Sequence, residues 1–99
     1  MNDIIRIMLI QIKWTRFSAM VGATNTGYSN TENSFQFRFK GSKRFNHCKL
    51  QYSTGTDLYD MVLTKIVGVN VKEQKQIEGL LFSQVNQVFE NNTGLYTSL

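Results

Sequence analysis

The sequence predicts a small α+β protein with an N-terminal helix, a four-stranded antiparallel meander sheet and a C-terminal amphipathic helix packed on one face. Three observations carry this reading. Phe35 to Tyr52 alternates apolar and polar residues on both sides of a Gly-Ser-Lys-Arg turn, the pattern of a β-hairpin. The connections between strand-like segments are too short for crossover helices, so neighbouring strands run antiparallel. Ile77, Leu80, Leu81, Val85, Val88 and Phe89 recur at helical spacing. At 99 residues and 41% hydrophobic content, the chain is bounded to one folded domain, residues 1–99.

Taken in order, Asn2 and Asp3 cap a helix running from Ile4 to about Lys13. Ile5, Met8, Leu9 and Ile12 then share one face, although the isoleucine content suits a strand as well. Trp14 ends this element against the core. Arg16 to Ala23 reads as a strand, with Phe17, Ala19 and Val21 on one face. Thr24 to Ser34 is rich in Asn, Thr and Ser and reads as a surface loop. Tyr28 stands alone in it, either as a partner anchor or folded back on the sheet edge.

The hairpin follows. Phe35, Phe37 and Phe39 face one way, and Gln36, Arg38 and Lys40 the other. In the second arm Cys48, Leu50 and Tyr52 oppose His47, Lys49 and Gln51. Lys43 and Arg44 sit at the tip. Phe45 has two readings: an exposed ring beside Arg44, or a ring packed under the turn, the second being preferred. Ser53 to Thr56 turns the chain into a last strand, Asp57 to Val71, with a bulge or bend at Gly68. The C-terminal helix begins near Ile77 and stops at Gly94 in the left-handed C′ position, with Leu95 closing on its last turn.

The formal charge is +4, and its placement matters more than its size. Residues 33 to 56 hold Arg38, Lys40, Lys43, Arg44 and Lys49 and no acid. The remaining residues hold six basic and seven acidic side chains. So local an excess points to an anionic partner: a nucleic acid, a nucleoprotein or an acidic protein surface. The competing explanation is a charged strand face that blocks edge-to-edge pairing. If the rings face the core, the basic face contacts phosphates but has little with which to stack bases.

Several function classes lose support. Ile4 to Ile12 is too short to span a bilayer, so no membrane partner is expected. The single cysteine allows no internal disulfide, which suits the reducing cytoplasm of a host cell. His47 and Cys48 are adjacent and so point to opposite faces of a strand, which separates them as a catalytic pair. Together they are too few for a four-ligand zinc site. Asp57 and Asp60 also fall on opposite faces. Gly22 and Gly27 lack the spacing of a phosphate-cradling loop. The expectation is a non-enzymatic protein with no catalytic residue, cofactor or metal.

Phe17-Ser18-Ala19-Met20 with Gly22, Asp57-Leu58-Tyr59-Asp60 and Thr93-Gly94-Leu95-Tyr96 are the distinctive pieces of a wider resemblance. With RFSAMVGATN, the phenylalanine-rich strand, GTDLYDMVLTKIVG and the terminal TGLYTSL, the chain resembles a family of small phage and prophage proteins. The charged hairpin tip departs from that pattern. The resemblance brings no catalytic residues. It implies a mobile-element factor and, by analogy with anti-CRISPR proteins, an inhibitor of a host defence nucleoprotein. The partner would be a host effector such as a CRISPR nuclease, or its guide RNA. Contact would run through Arg38, Lys40, Lys43, Arg44, Phe45 and Lys49, with the Tyr28 loop as a second surface. A nucleic-acid-binding accessory protein of phage replication or regulation is the alternative. An assembly factor that self-associates through a sheet edge is the third reading.

Overall fold

A computed structural model describes residues 1–98; Leu99, the last residue of the TGLYTSL segment, lies outside the described residues. The chain begins with two short helices, α1 (Asp3–Gln11) and α2 (Trp14–Val21). The Asn2 side chain accepts a hydrogen bond from the Ile5 amide at 2.8 Å, so the expected N-cap is formed. Ile5, Met8 and Ile12 are buried, as the helical spacing requires.

The predicted strand at Arg16 to Ala23 is instead α2. Lys13 takes a left-handed conformation, φ 56°, and breaks the first helix there. The chain then re-enters a helix that buries Phe17 and Val21 and lays Trp14 against the core. Phe17 and Val21 fit a period of two and a period of 3.6 equally well. Ala19 decides between them, because it is exposed, whereas a strand would have buried it beside its neighbours.

The sheet has five strands, not four, in the order β1 (Thr24–Ser29), β2 (Ser34–Arg38), β3 (His47–Ser53), β4 (Leu58–Val67) and β5 (Asn70–Leu80). Every neighbouring pair is antiparallel, which makes the predicted meander. Because the expected strand at Arg16 to Ala23 is α2, two of the five are unforeseen. The bend expected at Gly68 within a single strand Asp57 to Val71 is a two-residue turn that reverses the chain into β5. The other, β1, lies in the stretch expected to be loop. Its residues are polar and largely exposed, so it is a strand because its backbone pairs with β2 and not because it buries a face.

The expected C-terminal helix is shorter than its apolar pattern. Ile77 and Leu80 belong to β5, where a register shift sets Met61 opposite Ile77 and Tyr59 opposite Leu80. Three residues along β5 thus answer two along β4, so core-facing positions fall at i and i+3, which imitates a helix. Gly79 sits within this irregularity at φ +73°. Leu81 starts a 3-10 turn, Phe82–Gln84, and α3 (Val85–Thr93) follows, ending on Gly94 at φ 75°.

All three helices cover the same face of the sheet. That face carries Phe35 and Phe37 from β2, Cys48 and Leu50 from β3, and Tyr59, Met61 and Leu63 from β4. Phe37 lies at the centre, with ring centroids of Trp14, Phe17 and Phe35 at 4.9, 5.5 and 6.1 Å. Phe39 and Phe89 complete the cluster at 6.1 and 6.2 Å. Each fully buried phenylalanine contributes roughly 1.5–3 kcal/mol of burial free energy. The opposite face of the sheet carries no helix. By the strand registers it presents Gln36, Arg38, His47, Lys49, Gln51, Val62, Gln74 and Gln76.

Candidate nucleic-acid interface at one end of the sheet

A meander places alternate connections at opposite ends. The β2–β3 loop and the β4–β5 turn share one end, and the β1–β2 and β3–β4 turns share the other. At the first end, residues 38–47 and 64–73 carry Arg38, Lys40, Lys43, Arg44, Lys65 and Lys72, with Glu73 as their only acid. At the second end the strands and turns carry Glu32, Asp57, Asp60 and Glu78.

The β2–β3 loop is built rather than slack. Gly41 takes φ +95°, a conformation that calls for glycine, and a Cβ there would press on a Leu95 methyl at 3.2 Å. The Ser42 hydroxyl accepts from the amides of Arg44 and Phe45, both at 3.3 Å. The Phe39 amide donates to the Asn46 carbonyl at 3.0 Å, and the Lys40 amide to the Val21 carbonyl at 3.1 Å. Asn46 fastens the loop to β4. Its side chain donates to the Ile66 carbonyl at 2.7 Å and accepts from the Ile66 amide at 2.8 Å, while its own amide donates to the Thr64 carbonyl at 2.9 Å. An asparagine amide is the right group here, since it mimics a backbone peptide where β3 has ended.

The candidate cations divide by environment. Lys40 and Lys43 are exposed and, among the described residues, have no ion-pair partner. Arg38 lies half-buried on the open face, opposite His47. Arg44 pairs with Glu73 at 2.6 Å, and its guanidinium lies 4.8 Å from the Phe45 ring centre. Lys49 pairs with Glu32 at 3.1 Å, which ties it to the acidic end. Phe45 is fully buried beneath the turn and offers no ring to a partner. Tyr28 is exposed, but it sits on the edge strand opposite Phe35, apart from the cationic end.

Lys65 and Lys72 were missed in the sequence, because more than twenty residues separate them from the hairpin tip. The Val67–Asn70 pairing, closing a two-residue turn at Gly68-Val69, is what carries them there. A glycine at the first turn position with φ +64° was the available signal.

His47 titrates below its ordinary value of 6.5, first because burial disfavours the charged ring, then because Arg38 and Lys49 repel a further positive charge. Cys48 on the core side is fully buried, and desolvation pushes its thiol far up, so it is an inert core residue. No aromatic side chain stands among the open-face residues, so that face offers charge and amides without a stacking platform.

No protein-family model, curated protein or solved structure matches the chain. Among the described residues, no helix is long and apolar enough to cross a membrane. Among the described residues, no group of three or more His, Cys, Asp and Glu side chains is arranged to hold a metal ion.

The acidic end holds a cleft of about 250 Å³ lined by Ile4, Ile7, Gln11, Tyr52, Asp57, Tyr59 and Phe82. The Tyr52 hydroxyl donates to the Asp57 carboxylate, and the Tyr59 hydroxyl to Gln11 Oε1 at 2.7 Å. The Tyr59 phenol is pushed up to about 12, mainly by burial, and that of Tyr52 is raised mainly by its hydrogen bond to Asp57. Both phenols are therefore neutral at physiological pH. Asp60 instead accepts from the Gly79 amide at 3.1 Å, so the two carboxylates serve separate backbone and side-chain partners.

Proposed function

We propose that this protein is a non-catalytic binding protein of a phage or other mobile element, acting in the host cytoplasm. It docks on a host defence nucleoprotein, in the manner of an anti-CRISPR inhibitor, and contacts the nucleic acid of that assembly with the cationic end of its sheet. Arg38, Lys40, Lys43 and Arg44 lead the contact, and Lys65 and Lys72 extend it. The mobile-element origin rests on the sequence resemblance. The binding reading rests on one observation, the segregation of charge between the two ends of the sheet.

Edge protection does not account for that segregation. β2 and β3 are interior strands, hydrogen-bonded on both sides, and have no free edge to guard. Of the two edge strands, β1 carries no charge and β5 carries both signs, so edge protection accounts for Lys72 and not for Arg38, Lys40, Lys43, Arg44 or Lys65. Cations without partners on a stiff loop are instead what a phosphate backbone selects.

Direct binding to nucleic acid without a protein target is the second reading, favoured by the amide-rich open face, where Gln36 neighbours Arg38 and Gln51, Gln74 and Gln76 lie further across the sheet. Phage-infection assays separate the two. Under the first reading, cells expressing the protein lose defence against phage, and Lys43→Glu with Arg44→Glu restores it. Retained inhibition by the charge-reversed protein would move the interface elsewhere. If naked duplex or single strand is bound while defence is unaffected, the second reading replaces the first.

A further inference from the structure

The β4–β5 hairpin runs past the rest of the sheet. β3 pairs with β4 only as far as His47 opposite Thr64, whereas β4 and β5 continue to Val67 opposite Asn70. The overhang is three residues on β4 and four on β5, where the register shifts between Lys65 and Ile66, and it is about 10 Å long at 3.3 Å per residue. Its tip is apolar. Val67, Val69 and Val71 are 50%, 97% and 60% exposed, beside a half-buried Ile66. Lys65 and Lys72 flank them, and the Asn46 clamp holds Lys43 and Arg44 on the adjacent loop.

The turn does not call for these side chains. Gly68 supplies the positive φ, and the second turn position is one where polar residues are usual and β-branched ones are not. Single exposed apolar residues are ordinary, but three valines on one projecting tip between Lys65 and Lys72 are not. A partner that suits both features has an anionic surface over an apolar interior. A nucleic-acid duplex fits, with phosphates outside and stacked bases within. So does an anionic membrane, but interfacial anchors of that kind are amphipathic helices with a broad apolar face, and this tip is a narrow strand hairpin. The width of a two-stranded ribbon also suits a duplex groove, and the ribbon itself carries Lys65 and Lys72 behind its tip.

We propose that the β4–β5 tip is a wedge for duplex nucleic acid: Val67, Val69 and Val71 enter the groove and part a base step, while Lys65, Lys72 and Lys43 hold the flanking phosphates. This deepens the nucleic-acid contact proposed above and rests on it. Apolar wedges of this kind unstack and kink a duplex in exchange for a larger wrapped surface.

The test uses the full chain, duplex oligonucleotides carrying 2-aminopurine as a fluorescent stacking reporter, and phosphatidylserine vesicles. Wild type is expected to bind the duplex with steep salt dependence and to raise reporter fluorescence several-fold. Val67→Thr with Val69→Ser and Val71→Thr keeps strand propensity, and circular dichroism checks the fold. This variant is expected to keep the salt slope, lose the fluorescence rise and bind about 10-fold more weakly. Salt-dependent binding by wild type with no fluorescence rise overturns the wedge and leaves the phosphate contact standing. An unchanged rise with the valine variant also overturns it. Vesicle binding without duplex binding assigns the tip to lipid. Binding to neither ends the wedge, while the infection assay judges the docking proposal separately.

Discussion

At one end of the sheet six basic side chains meet a single acid, and at the other the turns carry Glu32, Asp57, Asp60 and Glu78. The two ends also differ in how their polar groups are engaged. At the acidic end Glu32 holds Lys49, Asp57 accepts from Tyr52, and Asp60 accepts from the Gly79 amide. Those acids stabilise turns and strand ends. At the cationic end Arg44 alone has an acidic partner among the described residues, while Lys40 and Lys43 face solvent. Charges already used by the fold are poor evidence of a partner, and charges without a use in the fold are better evidence. The lesson is that engagement, more than net charge, marks the surface.

The sharpest way to break this comparison is to reverse it. Lys40→Glu, Lys43→Glu and Arg44→Glu together are expected to lower affinity for a duplex or a guide RNA on the order of 100-fold. Glu32→Gln with Glu78→Gln at the other end is expected to change it less than about 3-fold. Fluorescence anisotropy at fixed salt measures both. Equal losses from the two ends would remove the distinction between them.

A smaller effect concerns how the cationic loop is held. Asn46→Ala leaves the Ile66 amide and carbonyl without partners and is expected to cost about 1–3 kcal/mol in denaturant unfolding. The affected amides should also exchange faster with solvent. An unchanged midpoint would mean that water replaces the clamp at no cost.

His47 offers a pH handle. Its folded value lies below the ordinary 6.5, so the unfolded chain takes up the proton first as pH falls. Stability therefore drops below about pH 6.5, and His47→Gln removes that part of the loss. A phosphate beside His47 favours the charged ring, so affinity should rise several-fold between about pH 7.5 and 5.5 in wild type and not in the variant. A flat profile would place the ligand away from the Arg38–His47 pair.

The smallest expected effect is the Arg44–Glu73 pair. Both side chains are about half exposed, so solvent screens the attraction. Glu73→Gln is expected to cost less than about 1 kcal/mol of stability. It frees Arg44 and should tighten phosphate binding slightly, which a double-mutant cycle with Arg44→Gln resolves.

Sequence patterns foretold some of these elements and misled on others for definite reasons. Phe35, Phe37 and Phe39 alternate without interruption, and the core face of the hairpin is where that alternation puts it. Asn2 caps α1 because its side chain is the correct acceptor in the correct place. β1 was hidden because its stability lies in backbone pairing that no side chain advertises. The start of α3 was misplaced because the β5 irregularity gives Ile77 and Leu80 a helical spacing within a strand. Arg38, Lys40, Lys43 and Arg44 are contiguous enough to be seen together in the chain. Lys65 and Lys72 join them only through the tertiary arrangement of the meander. Phe45 is buried under the turn that Ser42 closes, the preferred of its two sequence readings.

The central claim is that the cationic end is the binding surface. Amide chemical-shift mapping tests it most directly, with ¹⁵N-labelled protein titrated with a short duplex. Perturbations are expected to concentrate in residues 38–47 and 64–73 and to weaken with added salt. Perturbations centred instead on Ile7, Tyr52, Asp57 and Phe82, the lining of the cleft at the acidic end, would contradict it.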